Sequence, residues 1–252
     1  MDARVTGQGP HNEFDKLSLE FVSCSKENRR SEVTENSEVT VDIVSDVVCP
    51  WCIVGYRQLA AALEKTGTSA EINWHPFELN PDMPEAGQNL LAHMGEKYGY
   101  TPAECDENRQ QIISAGQSLE FEFNYTESSR MVNTFKAHQL LHWAGLKGHE
   151  HVLKLALFDM YFTDQQDINE SSVLMRAIES LDLDQQEAKE VLDQGIYRDV
   201  VREREQYWTS RGVHGVPAVV INKKHLFSGA QGVERYISIL KQVQTISAKE
   251  TE

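Results

Sequence analysis

Apolar and polar positions change rhythm several times along the chain. From Val39 to Val44 a β-branched run alternates with Thr40 and Asp42, the period of a strand. A helix should follow: Pro50 suits its first turn, and Ile53-Val54-Gly55-Tyr56-Arg57-Gln58-Leu59-Ala60-Ala61-Ala62-Leu63 continues it. A second strand is expected over Ala70 to Phe77, before a loop punctuated by Pro76, Pro81 and Pro84. Residues 88–209 then read as helical almost throughout. Thr101-Pro102-Ala103-Glu104 is a capping box with Pro at its first helical position, and Asp184-Gln185-Gln186-Glu187 follows the same logic. Leu153, Leu157, Met160 and Tyr161 make an apolar stripe suited to a core, as do Val173, Leu174, Ile178 and Leu181. Strand character returns from Val213 to Asn222, Lys223-Lys224 predicts a turn, His225 to Ser228 a short strand, and Val233 to Val243 a closing helix.

This order predicts an α/β fold in which a βαβ half and a ββα half are separated by a long helical insertion. Residues 39–87 and 210–243 would form the α/β core, 88–209 the helical insertion subdomain, and 244–252 a C-terminal tail. Residues 1–38 are polar and rich in charge, with one short apolar patch, Leu17 to Val22, that contains Glu20. A secretory signal needs about 7–15 uninterrupted apolar residues and a membrane span ~18 or more. The expectation is a disordered polar tail on a cytoplasmic protein.

Composition narrows the partners. A chain of 252 residues has room for one core with an inserted subdomain. Its 24 basic against 39 acidic side chains leave a net charge of −15, without a dense Lys/Arg run. That field repels phosphate backbones and anionic lipids, so neither nucleic acid nor a membrane is an expected partner. Oligomeric state stays open.

The chemistry lies in the cysteines. Four are too few for a secreted disulfide scaffold; Cys24 and Cys105 stand alone, and Cys49-Pro50-Trp51-Cys52 forms a Cys-x-x-Cys. With Cys49 at a helix N-terminus, unpaired N–H groups and the helix dipole would favour its thiolate, and its pKa is expected to fall from ~8.5 toward ~3.5–7. Cys52, one turn in, would reach the same sulfur, so the pair suits thiol–disulfide exchange, with Cys49 as nucleophile and Cys52 as resolving thiol. Pro-Trp between the thiols and the helix start predict that Cys49 is exposed. An inert buried pair is one alternative. Zinc is another, but no second Cys-x-x-Cys exists, and Cys105 or His75 would have to be recruited from far away. His138 and His142, with His149 and His151 nearby, lack an acidic partner motif, so they are expected to be satisfied or solvent-facing rather than metal ligands. Val216-Pro217 precedes a strand, a place where a cis bond is a local choice that spacing alone does not reveal.

Several segments carry a family likeness. Asp46-Val47-Val48-Cys49-Pro50-Trp51-Cys52, Trp74-His75-Pro76-Phe77-Glu78-Leu79-Asn80-Pro81, Asn133-Thr134 with Ala137-His138, Gly215-Val216-Pro217 and Ser228-Gly229-Ala230-Gln231 resemble the DsbA superfamily. Within it, the cytoplasmic FrnE-like branch is most similar. The resemblance spans about residues 39–243 and implies a thioredoxin-like fold whose helical insertion caps the active site. It implies that Cys49 is the nucleophile, Cys52 the resolving thiol and Pro217 a cis-proline packed against them. The backbone of Val216 would pair with an extended substrate segment, and Trp51 would line the contact surface, core packing being the alternative for its ring. Thioredoxin and periplasmic DsbA hold a buried acid where this chain has Ile43; Asp46 is a candidate for that proton relay, although capping the turn suits it better. The Pro-Trp dipeptide lacks the thiolate-stabilising His of DsbA, which implies a less oxidising pair.

The function expected is therefore a protein disulfide oxidoreductase of undetermined direction. It needs no cofactor beyond its own redox disulfide, with glutathione as a further co-substrate, and no metal. One alternative is a glutathione-dependent isomerase or transferase of the hydroxychromene-carboxylate isomerase or kappa-class type, whose members usually hold Ser at the position of Cys49. The other is a non-catalytic binding or holdase module.

Overall fold

A computed structural model describes residues 39–250. The tail expected over residues 1–38, with Cys24, lies outside the described residues. In chain order, β1 (Val39–Ser45) leads through a tight turn into α1 (Pro50–Thr66) and β2 (Ala70–Pro76). The insertion contains β3 (Gln88–Asn89), α2 (Leu90–Tyr98), α3 (Pro102–Gln117), β4 (Arg130–Met131), α4 (Phe135–Leu146) and α5 (Glu150–Phe158). It continues through a π-helical turn over Asp159–Thr163 into α6 (Ser171–Ser180), α7 (Gln185–Gln194) and α8 (Arg198–Thr209). The chain returns as β5 (Ala218–Ile221), β6 (His225–Ser228) and α9 (Val233–Glu250).

Four strands form one mixed sheet in the order β2-β1-β5-β6. β1 runs parallel to β2, with Ile43 beside Trp74, and antiparallel to β5, with Ile43 beside Val219. This is a thioredoxin-like α/β sheet carrying a helical insertion. The alternation read in β1 does not put one face in water. Both faces are covered, as in a central strand, and Asp42 is buried because its carboxylate meets His75 Nε2 at 2.9 Å. One continuous cluster joins Ile43 and Trp74 of the sheet to Leu140, Leu153 and Phe158 of the insertion, so the insertion shares the sheet's core.

Three expectations need correction. The strand expected from Val213 begins only at Ala218: residues 213–217 form a loop, and Pro217 has no N–H to give to a ladder. The turn expected at Lys223-Lys224 lies between β5 and β6 and also takes in Asn222, whose φ of 51°, like the 56° of Lys223, is left-handed. The closing helix does not stop at Val243 but runs to Glu250, which removes most of the tail expected over 244–252. The insertion is also less helical than its composition suggests. Residues 118–134 are non-helical apart from the β4 bridge to β3, because Phe121 and Phe123 leave the helix to enter the core, 5% exposed each. Gly116 makes this possible: a Cβ there would meet the Phe121 carbonyl and the Phe123 ring, each at 2.6 Å. Both expected caps hold, Thr101 with Glu104 as a reciprocal box and Asp184 accepting from the Glu187 N–H at 2.9 Å.

Candidate active site

The turn between β1 and α1 builds the site. The Asp46 carbonyl accepts the Cys49 N–H at 3.2 Å, Cys49 occupies the N-cap of α1 with φ −90° and ψ 111°, and Pro50 supplies the first helical φ. The Asp46 side chain does not cap this turn. Its Oδ2 accepts the Leu79 N–H at 2.7 Å, pinning the loop after β2, and its Oδ1 lies 3.3 Å from His138 Nε2. His138 Nε2 also reaches the Phe77 carbonyl at 3.1 Å; both partners are acceptors, so this nitrogen carries the proton. The Trp-His-Pro-Phe-Glu-Leu segment and the Ala-His pair thus meet at Asp46, three residues before the first thiol.

Cys49 and Cys52 are free thiols, 4% and 0% exposed, which overturns the expected exposure of Cys49. The Cys49 Sγ–H points to the Val216 carbonyl 3.6 Å away, within sulfur's longer reach, and the Val216–Pro217 peptide is cis. Gly55 lets α1 approach that loop, since a Cβ there would lie 3.2 Å from Pro217 Cγ. The Ser-Gly-Ala-Gln segment closes the same side: the Gly229 N–H binds the Pro217 carbonyl at 2.7 Å and the Gly232 N–H binds Gln58 Oε1 at 2.7 Å. The helix start, Cys52 and the proline loop therefore gather around Cys49.

The expected fall in the Cys49 pKa is also reversed. The hydrogen bond it shares with the Cys52 side chain, its burial, and the negative charges of Cys52 and Asp46 push the thiol well above its ordinary value. The Cys52 N–H opposes this without prevailing. A raised thiol is protonated at neutral pH and ionises only in the alkaline range. Alkylation of Cys49 in the reduced protein, followed by peptide mass mapping, should be slower at pH 7 than that of a model peptide thiol and should climb through pH 9. A plateau below pH 7 would contradict this electrostatic account.

Three further aromatic side chains bear on the site. Trp51 is 38% exposed, so its ring is not a core element, and Tyr98 on α2 is exposed and stacks on Tyr100 at 5.8 Å. Tyr98 and Tyr125 both lie within range of the Cys49 charge, which raises their phenols further beyond the effect of burial. Both tyrosines belong to the insertion, far along the sequence from the thiol, so no local motif links them to it.

A buried polar network ties β2 to the helical insertion. Arg204 donates to His142 Nδ1, His75 Nδ1 and the Trp74 carbonyl, each at 3.0 Å. Arginine only donates, so both imidazoles accept through Nδ1 and are neutral; burial and the Arg204 charge hold His142 down at about 4. His151 receives the Trp74 Nε1–H at 3.1 Å and faces Tyr56 Oη at 3.0 Å. These histidines are structural partners. Among the described residues no group of three or more His, Cys, Asp or Glu side chains is placed to hold a metal ion. Lys154, on α5, is 1% exposed and donates to the Ser45 carbonyl at 3.3 Å.

The comparisons with known proteins agree with this architecture. The sequence profile of the DSBA-like thioredoxin domain matches residues 40–241. The uncharacterised protein YwbO of Bacillus subtilis is 26% identical over 209 residues, covering 82% of this chain and 98% of that protein. The crystal structure of a probable DsbA oxidoreductase from Streptomyces coelicolor superposes with a TM-score of 0.75 at 28% identity, covering 81% of this chain and 89% of that one. The cytosolic disulfide reductase DsbM of Pseudomonas aeruginosa, solved with glutathione, shares the fold with a TM-score of 0.54 at 16% identity. That match covers 84% of this chain and 98% of DsbM.

Proposed function

The chain belongs to the DSBA-like thioredoxin domain family, and on that premise we propose that it is a thiol–disulfide oxidoreductase acting on protein thiols and disulfides through Cys49 and Cys52. The observation that carries this reading is the placement of Cys49 at the N-cap of α1, its carbonyl accepting the Cys52 N–H one turn in and its thiol facing the Val216 carbonyl. In reduction of a substrate, the Cys49 thiolate attacks one substrate sulfur and the other departs. Cys52 then attacks Cys49, releasing the reduced substrate and closing the Cys49–Cys52 disulfide. In the opposite direction a substrate thiolate attacks Cys49 of that disulfide, and the substrate's second thiol attacks its own bound sulfur, freeing Cys49.

The substrate lies along the exposed edge of the site in this reading. Its extended backbone pairs with Val216 beside Pro217, and Trp51 and Tyr98 supply apolar contact. Glutathione, the molecule with which DsbM was solved, is the small co-substrate that resets the pair. The FrnE-like branch and a cytoplasmic setting belong to the same proposal. No helix among the described residues is long and apolar enough to cross a membrane. Retention of both thiols separates this reading from the isomerase and transferase chemistry considered above.

A direct test mixes the oxidised protein with a stoichiometric reduced dithiol peptide and quenches the mixture by alkylation. The peptide should acquire its disulfide as Cys49 and Cys52 become alkylated. A peptide that stays reduced while both cysteines resist alkylation, together with failure of the reverse reaction from the reduced protein, would overturn the proposal.

A further inference from the structure

A cleft of about 70 Å³ opens within the helical insertion, between the start of α2, the extended chain leading into β4 and the residues that follow the π-helical turn. One water needs ~10–15 Å³ by the same measure, so the cleft has room for several non-hydrogen atoms. Ser128, Arg130, Gln166 and Asp167 line it together with Tyr125 and Tyr161. We propose that this cleft binds an α-amino acid head group, an ammonium and a carboxylate on one carbon, carried by a free amino acid or by the γ-glutamyl end of glutathione.

The charges select that class of ligand. Arg130 and Asp167 line the same cleft, yet no ion pair joins them among the described residues. One end of the Arg130 guanidinium is tied to the Ala86 carbonyl through Nη2, and Asp167 Oδ1 accepts the Asn169 N–H at 2.9 Å. Nε and Nη1 of Arg130 and Oδ2 of Asp167 are therefore left for a ligand. Gln166 Oε1 accepts from Arg176 Nη2 at 2.5 Å, which leaves its amide N–H groups as further donors to a carboxylate. A simple anion in the cleft would meet Asp167 and a simple cation would meet Arg130. A neutral polyol would leave both charges unanswered, whereas a zwitterion gives each its opposite.

The walls are held in place before any ligand arrives. Tyr161 Oη donates to the Arg130 carbonyl at 2.6 Å, and the Ser129 hydroxyl donates to Gln165 Oε1. Gln165 Nε2 in turn donates to the Tyr161 and Phe162 carbonyls at 3.2 and 3.0 Å, binding the π-helical turn to the chain after it. Gln165 itself has a φ of 55°, a left-handed backbone that costs energy in a residue with a Cβ and persists where its surroundings hold it. A π-helical turn beside such a residue is a common mark of a functional site. A cleft fixed in this way gives up little conformational freedom when a ligand enters.

This site goes beyond thiol exchange and does not depend on it. Calorimetric titration of the full chain tests it with four probes: L-glutamate, S-methylglutathione, acetate and methylamine. S-Methylglutathione carries the γ-glutamyl head but no thiol, so it should bind wild type and Cys49→Ser alike. Saturation by S-methylglutathione alone assigns the head group to glutathione, and saturation by L-glutamate assigns it to free amino acids. Acetate and methylamine, each with one of the two charges, should bind at least ~10-fold more weakly, the scale of losing a hydrogen bond to a charged group.

Arg130→Met and Asp167→Asn should each weaken the bound zwitterion by roughly 10- to 100-fold. The thermal unfolding midpoint should hold, because Arg130 is exposed and Asn keeps the carbonyl that accepts the Asn169 N–H. Failure of both L-glutamate and S-methylglutathione to saturate the chain would overturn the inference. So would binding of acetate or methylamine as tight as that of the zwitterion, or wild-type affinity in either variant. If a variant does not fold, the acetate and methylamine titrations of the wild type still decide the matter. A chain that binds the head group but exchanges no disulfide keeps this site and loses the exchange reading; one that exchanges disulfides without binding it loses only the site.

Discussion

Cys52→Ala should turn the protein into a trap. The Cys49 attack survives, but the sulfur that would release the substrate is gone, so a mixed disulfide at Cys49 should persist through non-reducing electrophoresis and be identified by mass. Its lifetime should exceed the wild type's by about 10³-fold or more, because a neighbouring thiol acts at an effective concentration far above that of a millimolar external thiol. Ala is the informative replacement. Cys52 is 0% exposed, and a Ser hydroxyl there would be buried without its water partners, whereas removal of the sulfur leaves a small cavity costing about 1 kcal/mol. A Cys52→Ala protein that turns over a protein disulfide at the wild-type rate would show that Cys52 is not the resolving group.

Cys49→Ser should abolish exchange, by about 10³-fold or more, the scale of loss when a covalent nucleophile is deleted. The fold should be untouched, which makes the loss chemical. Cys49 sits at the N-cap of α1 and makes no side-chain cap hydrogen bond, and serine is among the best residues for that position. The thermal unfolding midpoint should therefore hold or rise while turnover of a disulfide substrate vanishes. Retained turnover in Cys49→Ser would move the chemistry elsewhere.

What could be read from the sequence was mostly local. Pro50 at the first turn, the Thr101 and Asp184 caps and the β-branched run of β1 act within a few residues, and each forms the element it predicts. The thiol pair and the proline loop were recognisable because their spacing is set by one turn of helix and by the strand that follows. Electrostatics was not recognisable in this way. The helix dipole argued for an acidic Cys49, yet the loop before β5, the partner thiol and Asp46 bury it and raise it, and those neighbours are assembled by the sheet. Lys154 reads in sequence as a charge beside Leu153 on an apolar stripe, and only the packing of α5 against β2 buries its amine at the Ser45 carbonyl. Phe121, Phe123 and Tyr125 did carry a signal, a period of two inside a region otherwise helical in composition, and it marks the extended segment that anchors in the core.

Asp46 shows the same division. Its position before the cysteine pair marked it as a candidate, but the choice between turn cap and proton relay depended on partners far along the chain. Its carboxylate is engaged by the Leu79 N–H and by His138, which makes it a clamp between the turn, the loop after β2 and α4.

The central claim is that Cys49 and Cys52 form one reversible disulfide. It is tested most directly by equilibrating the protein in glutathione buffers of stepped ratio, trapping thiols by alkylation and reading mass. The account predicts a single two-electron transition confined to Cys49 and Cys52. Because a raised Cys49 thiol gives the reduced form no thiolate stabilisation, the midpoint should lie nearer the roughly −200 to −270 mV of glutaredoxins and thioredoxin than the about −120 mV of DsbA. Failure of these two residues to form a disulfide at any glutathione ratio would contradict the account.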